Sequence, residues 1–302
     1  MVLPERHLRT ASLASNTGPQ RELAHQLTRL RLVQQPSDPV LMQRDPELIR
    51  RAMPILEAVS DHYFRIDVEG AEHLSAGPTL LASTHNGGMW MPDMIGLYVA
   101  FVRRFGVDAP SYGMMFDFAR HLPLYGRLAT ALGGIPASPH NARRVLRAGY
   151  PLMVCPGGEE DALKPFRDRH RIMFGKRRGF IRLAIEEQIP IVPVVSVGAH
   201  ETMLVLNDGR RTAQLLRIPL WLRIKTVPLA LAFPWGLTVA GVGALPLPAK
   251  VTVRVLPPIE LGAPPAAARV PSVVERCFEH VRDRMQTALD DLASRRRHFF
   301  FG

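Results

Sequence analysis

PTLLASTHNGGMWMPD, residues 78–93, decides the class of fold. Its first half, Pro78 to Ser83, is an apolar run of strand length. His85 and Asn86 follow at once, and Gly87-Gly88 frees the backbone to turn. Pro92 suits the first turn of a helix, with Asp93 just inside it. A buried strand, a glycine turn and a helix make one unit of a strand–helix alternation. The histidine at the strand end and the acid at the helix start make that turn a candidate catalytic site.

The alternation continues on both sides. Downstream, 92–105 predicts a helix, apolar nearly all round over 94–102, so it is buried or it touches lipid. Upstream, Asp45 caps a helix over 46–63 in which Pro54 predicts a kink or break. The alternation at 64–68 predicts a strand. Beyond the focal helix, 114–119 and 126–132 predict helical pieces, and 133–138 predicts a turn into a short strand. Helices follow over 141–148 and 175–188, strands over 151–155, 189–197 and 251–255, and an amphipathic terminal helix over 273–292. The prediction is an α/β fold, a mainly parallel central sheet flanked by helices. Residues 1–44 are polar and form an N-terminal arm or cap; 45–302 form a single domain.

Of 302 residues, 47% are hydrophobic and 22% charged, which supplies a full core and excludes disorder as the main state. The formal net charge of +11 calls for an anionic partner: a phosphate-bearing substrate, an acidic membrane or nucleic acid. Cys155 and Cys277 are too far apart in sequence to imply a disulfide framework. The first residues carry charges where a secretory signal needs an apolar core, so no such signal is expected. Between Lys225 and Lys250 there is no charged residue, a length that could span a bilayer. Pro228, Pro234, Gly236, Gly241, Gly243, Pro246 and Pro248 oppose a regular spanning helix, so a buried or interfacial hairpin is expected.

Three pieces carry chemistry. His85 and Asp93 read either as a general base with its orienting acid or as a capping histidine and a first-turn acid. Cys155-Pro156-Gly157-Gly158-Glu159-Glu160-Asp161 reads either as an acidic turn or as a strand end whose N–H groups bind a phosphate or oxyanion. Cys155 itself reads as a buried structural thiol. Residues 164–182 hold eight Lys and Arg against one Asp, either a solvated basic face or a binding surface for phosphates or an anionic membrane. No nucleic-acid module accompanies this tract, and nucleic acid is not expected as a partner. A serine-hydrolase elbow, a Walker loop, a dinucleotide fingerprint and zinc-type spacing are all missing, so neither metal nor cofactor is expected.

Taken in order, these blocks resemble the glycerolipid and lysophospholipid acyltransferase family. That family carries a His-x4-Asp block after a strand, a Gly-containing second block and a Pro-Glu-Gly-type third block. The chain looks closest to its diacylglycerol acyltransferase-like branch, through Pro156-Gly157-Gly158-Glu159-Glu160-Asp161-Ala162, then Gly175-Lys176-Arg177-Arg178-Gly179-Phe180, then Pro190-Ile191-Val192-Pro193. Gly134-Ile135-Pro136 matches the second block, and the likeness spans about 46–260. Two features depart from the pattern. Seven residues, not four, separate His85 from Asp93, and the acid of the third block is Asp161 unless Glu160 takes its role. A helix would carry the eight steps from His85 to Asp93 about 12 Å along its axis. The pair therefore requires 86–92 to fold back as a loop.

The resemblance implies acyl transfer from acyl-CoA or acyl carrier protein to a hydroxyl of a lipid acceptor. It makes His85 the general base and Asp93 the acid that orients it. Substrate contacts fall to Asn86, Gly134, Ile135, Pro136, Gly157, Gly158, Glu160, Asp161, Lys176, Arg177 and Arg178. The helix over 94–102 and the stretch 226–249 would line an acyl groove or touch a bilayer. The expected setting is peripheral or monotopic, on the cytoplasmic side of an anionic membrane. A catalytically altered lipid-binding protein of the same fold is the alternative.

Overall fold

The computed structural model describes residues 38–298 apart from Met89, Asp208, 210–227 and 240–243. Its main sheet has seven strands in the order β1-β10-β6-β2-β5-β3-β4. These are β1 Asp67–Glu69, β2 Leu80–Ser83, β3 Tyr112–Met115, β4 Gly134–Pro136, β5 Leu152–Val154, β6 Ile191–Val197 and β10 Thr252–Val255. Neighbours run parallel except β10 against β6. The predicted α/β class and mainly parallel sheet are what the chain adopts. β2 and β6 lie at the centre with every residue buried, as continuous apolar strands must.

Helices cover both faces. Leu80 and Ala82 of β2 pack with α5 Pro139–Arg147, α7 Gly179–Glu187 and α8 Pro271–Arg295, while Leu81 faces the other layer. In α8, Val274, Phe278, Val281, Met285, Leu289 and Leu292 recur at helical spacing and fill the first layer. On the opposite face, α2 Pro92–Phe105 is packed between the sheet and α1 Pro46–Ala58. Met94, Leu97, Val99, Phe101 and Val102 are all buried, so α2 is a core helix. The packed body reaches back at least to Leu41, whose side chain sits in the core. Residues 1–37 of the predicted arm lie outside the described residues.

Three local expectations change. α1 continues through Pro54 and is followed by a π-turn, Val59–Tyr63. The strand over 64–68 shrinks to β1, because Arg65 takes a left-handed φ of 46° and Ile66 N–H bonds the Ser60 carbonyl (2.8 Å). Phe64 and Ile66 are apolar because one enters the core and the other packs on α2, and not because they share a strand face. The helix expected over 114–119 is instead β3 followed by the short α3 Asp117–Arg120. There the pairing of Gly113 to Met115 with β4 overrides helical propensity. A further helix, α4 Tyr125–Ala131, precedes β4.

The charge-free stretch joins a second sheet of antiparallel strands, β7 Leu204–Val205, β8 Leu229–Ala232 and β9 Gly236–Val239. β8 and β9 make the expected hairpin. No helix among the described residues is long and apolar enough to cross a membrane.

Candidate active site

The turn after β2 folds back as the spacing requires. Gly87 and Gly88 take φ of 74° and 59°, Trp90 N–H bonds the Gly87 carbonyl (3.3 Å), and α2 begins at Pro92. A Cβ on Gly87 would come within 2.7 Å of Pro92 Cδ and 2.8 Å of the Ala199 carbonyl, so only glycine fits here. The loop brings Asp93 to the side chain of Asn86, but the acid does not hold the His85 ring. Asp93 Oδ2 accepts from Ser196 Oγ (2.7 Å) and Asn86 Nδ2 (3.3 Å), and Oδ1 accepts from Met94 N (3.0 Å). Asn86 Nδ2 also lies 2.9 Å from Ser196 Oγ and 3.0 Å from Thr84 Oγ1. The link between the two expected partners therefore runs through the backbone neighbour Asn86.

Among the described residues neither ring nitrogen of His85 has a partner within hydrogen-bond geometry, and both are buried. Burial lowers the ring's pKa from 6.5; Asp161 and the backbone of Gly88 and Gly158 oppose that shift, and Lys164 adds to it. The ring is thus neutral at neutral pH, the form that can take a proton. Its backbone N–H donates to Asp161 Oδ2 (2.7 Å). Asp161 Oδ1 in turn accepts from Lys164 Nζ (2.9 Å) and Met173 N (3.2 Å). Lys164 Nζ reaches the Arg171 carbonyl as well (2.9 Å), and the pair is fully buried. Asp161 is therefore the structural acid of the third block. It ties α6 Gly158–Ala162, where it sits, to the histidine loop.

Burial pushes Asp93 from its ordinary 3.8 up to about 7, although Ser196, Asn86 and Met94 hold it down. A carboxyl raised in the folded state keeps a proton there that the unfolded chain has already lost. Stability then falls as pH rises from about 4 to 7 and stays lower above that window. Asp93→Asn carries no such penalty. It is expected to gain on the wild type across this window by on the order of 4 kcal/mol at most, less the cost of reorienting the Ser196 hydroxyl. Thermal melts of both proteins at pH 4 and pH 8 measure this.

The glycine pair of the third block divides its work. Gly158 N–H donates to the Cys155 carbonyl (3.1 Å), so it is not offered to a ligand as the sequence suggested. Arg177 takes over the position. Its Nη1 donates to the carbonyls of Pro156 (3.2 Å) and Gly157, and the side chain remains exposed. A Cβ on Gly157 would meet Asp161 Cβ at 2.3 Å, whereas one on Gly158 would meet only the end of Arg177, at 2.5 Å. Gly157→Ala is therefore expected to destabilise the fold by roughly 2 kcal/mol or more. Gly158→Ala is expected to shift Arg177, at about 1 kcal/mol for its left-handed φ of 51°. Urea unfolding of both variants distinguishes them.

The remaining expected residues are placed as follows. Lys176 is exposed beside Arg177, and Glu160 is half-buried near Gly175. Arg178 is committed to Glu275 (2.7 and 2.8 Å) and stacks 3.3 Å from the Phe278 ring centroid, so it anchors α8 and is not offered to a ligand. Gly134, Ile135 and Pro136 form the outer strand β4, about 14 Å from β2 across two intervening strands. Ile135 is buried in the core and the Pro136 carbonyl accepts from Asn141 Nδ2 (2.9 Å). This block is not brought to His85. Burial raises the Cys155 thiol far out of the nucleophilic range, in keeping with a structural cysteine. Among the described residues no group of His, Cys, Asp and Glu could hold a metal ion.

Two working residues were not singled out. Ser196 is the lone polar residue of an apolar strand, and a buried hydroxyl there must have a partner. Lys164 was counted with the basic face, yet it is the buried mate of Asp161.

A family model of acyltransferases matches residues 65–197, the span from β1 to the end of β6. An uncharacterised protein of Mycobacterium tuberculosis is 29% identical over 251 residues, 82% of this chain and 67% of its own length. One from Mycobacterium leprae is 30% identical over 252 residues, 82% and 66%. The chain thus spans about two thirds of these relatives. Diacylglycerol O-acyltransferase 1 of Saccharomyces cerevisiae is 29% identical over 192 residues, 61% of this chain and 45% of that enzyme. Among solved structures, the 1-acyl-sn-glycerophosphate (LPA) acyltransferase PlsC of Thermotoga maritima shares the fold, with a TM-score of 0.51, 15% identity and 91% of each chain covered. The strand–loop–helix site therefore sits inside the span, residues 65–197, that carries the acyltransferase family match, on a fold that the chain shares with PlsC.

Proposed function

We propose that the chain moves a fatty acyl group from acyl-CoA or acyl carrier protein to a hydroxyl of a lipid acceptor, a lysophospholipid or a glycerolipid. The observation that carries this reading is the buried, neutral His85 ring with both nitrogens unpaired, beside the Gly157-Gly158 turn and Arg177. His85 takes the acceptor's hydroxyl proton as the oxygen bonds the thioester carbon. The carbon–sulfur bond then breaks, and the leaving thiolate takes the proton back from the ring. General-base help of this kind contributes about 10²–10⁴-fold. Asp93 acts as a positioning residue, holding the loop through Asn86 and Ser196. Lys176 and Arg177 supply positive charge for phosphates of the donor or an anionic acceptor. Gly158→Ala, by shifting Arg177, is expected to raise KM for the donor more than it lowers kcat.

The cytoplasmic side of a membrane, with peripheral or monotopic attachment, fits water-borne thioesters and lipid-borne acceptors. Thiol release from acyl-CoA with and without a panel of lysophospholipids, diacylglycerol and long-chain alcohols tests the proposal. Release that depends on one acceptor supports it. Tight lipid binding with no release under any acceptor contradicts it.

A further inference from the structure

β8 and β9 are built the wrong way round for a hairpin that lies against its own protein. On β8 the inward side chains are small: Ala230 and Ala232 are buried among Met203, Val205 and Ala244. The large side chains point out. Leu231 is 41% exposed, its cross-strand partner Leu237 61%, and Phe233 and Trp235 at the turn 59% and 66%. The hairpin therefore carries four large apolar side chains on its exposed side and at its turn. Aromatic and aliphatic residues at the end of a β-ribbon match the boundary between lipid headgroups and acyl chains.

The tip also sits at the reactive end of the molecule. β6 runs parallel to β2 and leads from its C-terminal end into β7 and this second sheet, and the His85 loop leaves the same end of β2. Trp90, in that loop, donates its Nε1–H to the Ala244 carbonyl (2.7 Å). Next to Ala244, Leu245 N–H bonds the Phe233 carbonyl (2.7 Å). Two hydrogen bonds therefore connect the catalytic loop to the hairpin. The third block leaves β5 at this same end, with Lys176 and Arg177 exposed, and the chain's formal net charge is +11. Positive charge on this side complements an anionic surface.

We infer that the β8–β9 tip is the element that enters an anionic phospholipid bilayer, and that Trp90 couples its docking to the His85 loop. This rests on the acyl-transfer reading for its purpose, but binding is measured without turnover. The test is co-sedimentation of the full chain with phosphatidylcholine vesicles, with and without phosphatidylglycerol. Phe233→Ser, Trp235→Ser and Leu237→Ser are combined in one variant and checked for native circular dichroism. Wild type is expected to pellet with the anionic vesicles and the variant to bind them at least ~10-fold more weakly. His85→Ala is expected to bind like wild type, so a failed acyltransferase assay leaves this result standing. Brominated lipid should quench tryptophan fluorescence in wild type and much less in Trp235→Phe. A folded triple variant that pellets as wild type does would overturn the inference. So would wild type that ignores both vesicles, or a soluble dimer that the same substitutions abolish.

Discussion

His85→Ala is expected to lower kcat by about 10²–10⁴-fold while leaving the fold intact. Among the described residues the ring has no partner within hydrogen-bond geometry, so its removal leaves chiefly a packing defect. The anchor of the loop is the His85 backbone N–H on Asp161, which alanine retains. Because burial lowers the ring's pKa below 6.5, the difference between wild type and variant is full at neutral pH. It shrinks as acid protonates the ring and removes the base from the wild type as well. Steady-state thiol release against pH, with a melting curve for each protein, checks both parts.

Lys164→Met is expected to cost about 3–5 kcal/mol of stability, the larger structural effect predicted here. It strands the buried Asp161 carboxylate with only the His85 and Met173 N–H groups. The Arg171 carbonyl loses its donor in the same step. Asp161→Leu alone is expected to be of similar severity, because it leaves a buried ammonium. Combining the two should recover much of the stability, since an apolar pair escapes the desolvation cost of buried charges. The double variant should nevertheless lose turnover, because the His85 N–H then has no carboxylate to hold its loop. Urea denaturation of the two single variants and the double variant, as a cycle, gives the coupling directly.

The fold was legible where burial is two-sided. Leu80-Leu81-Ala82-Ser83 and Ile191 to Val197 are continuous apolar runs, and such runs become central parallel strands. Legibility failed at the edges. Phe64 to Val68 alternates like a strand, yet Arg65 turns left-handed and only Asp67 onward pairs. Tyr112–Met115 has no periodicity of its own and becomes a strand because β5 and β4 flank it. At the site, the glycine pair foretold the turn after β2, whereas Asp161, expected as a substrate contact, is instead committed to Lys164 and to the His85 and Met173 N–H groups. What sequence could not supply was the partner of each acid. Asp93 lies eight residues from His85 but bonds Ser196, a hundred residues away, and Asp161 bonds the histidine backbone. Those choices are made by the neighbouring of β2, β5 and β6, which spacing along the chain does not report.

The central claim is that His85 drives transfer of an acyl group onto a lipid hydroxyl. Mass spectrometry of lipid products alongside thiol release, from acyl-CoA and the acceptor panel, tests it most directly. One new ester formed per thiol released, on a single acceptor class and lost in His85→Ala, is the predicted result. Thiol release without ester, or ester formation undiminished in a folded His85→Ala protein, would contradict it.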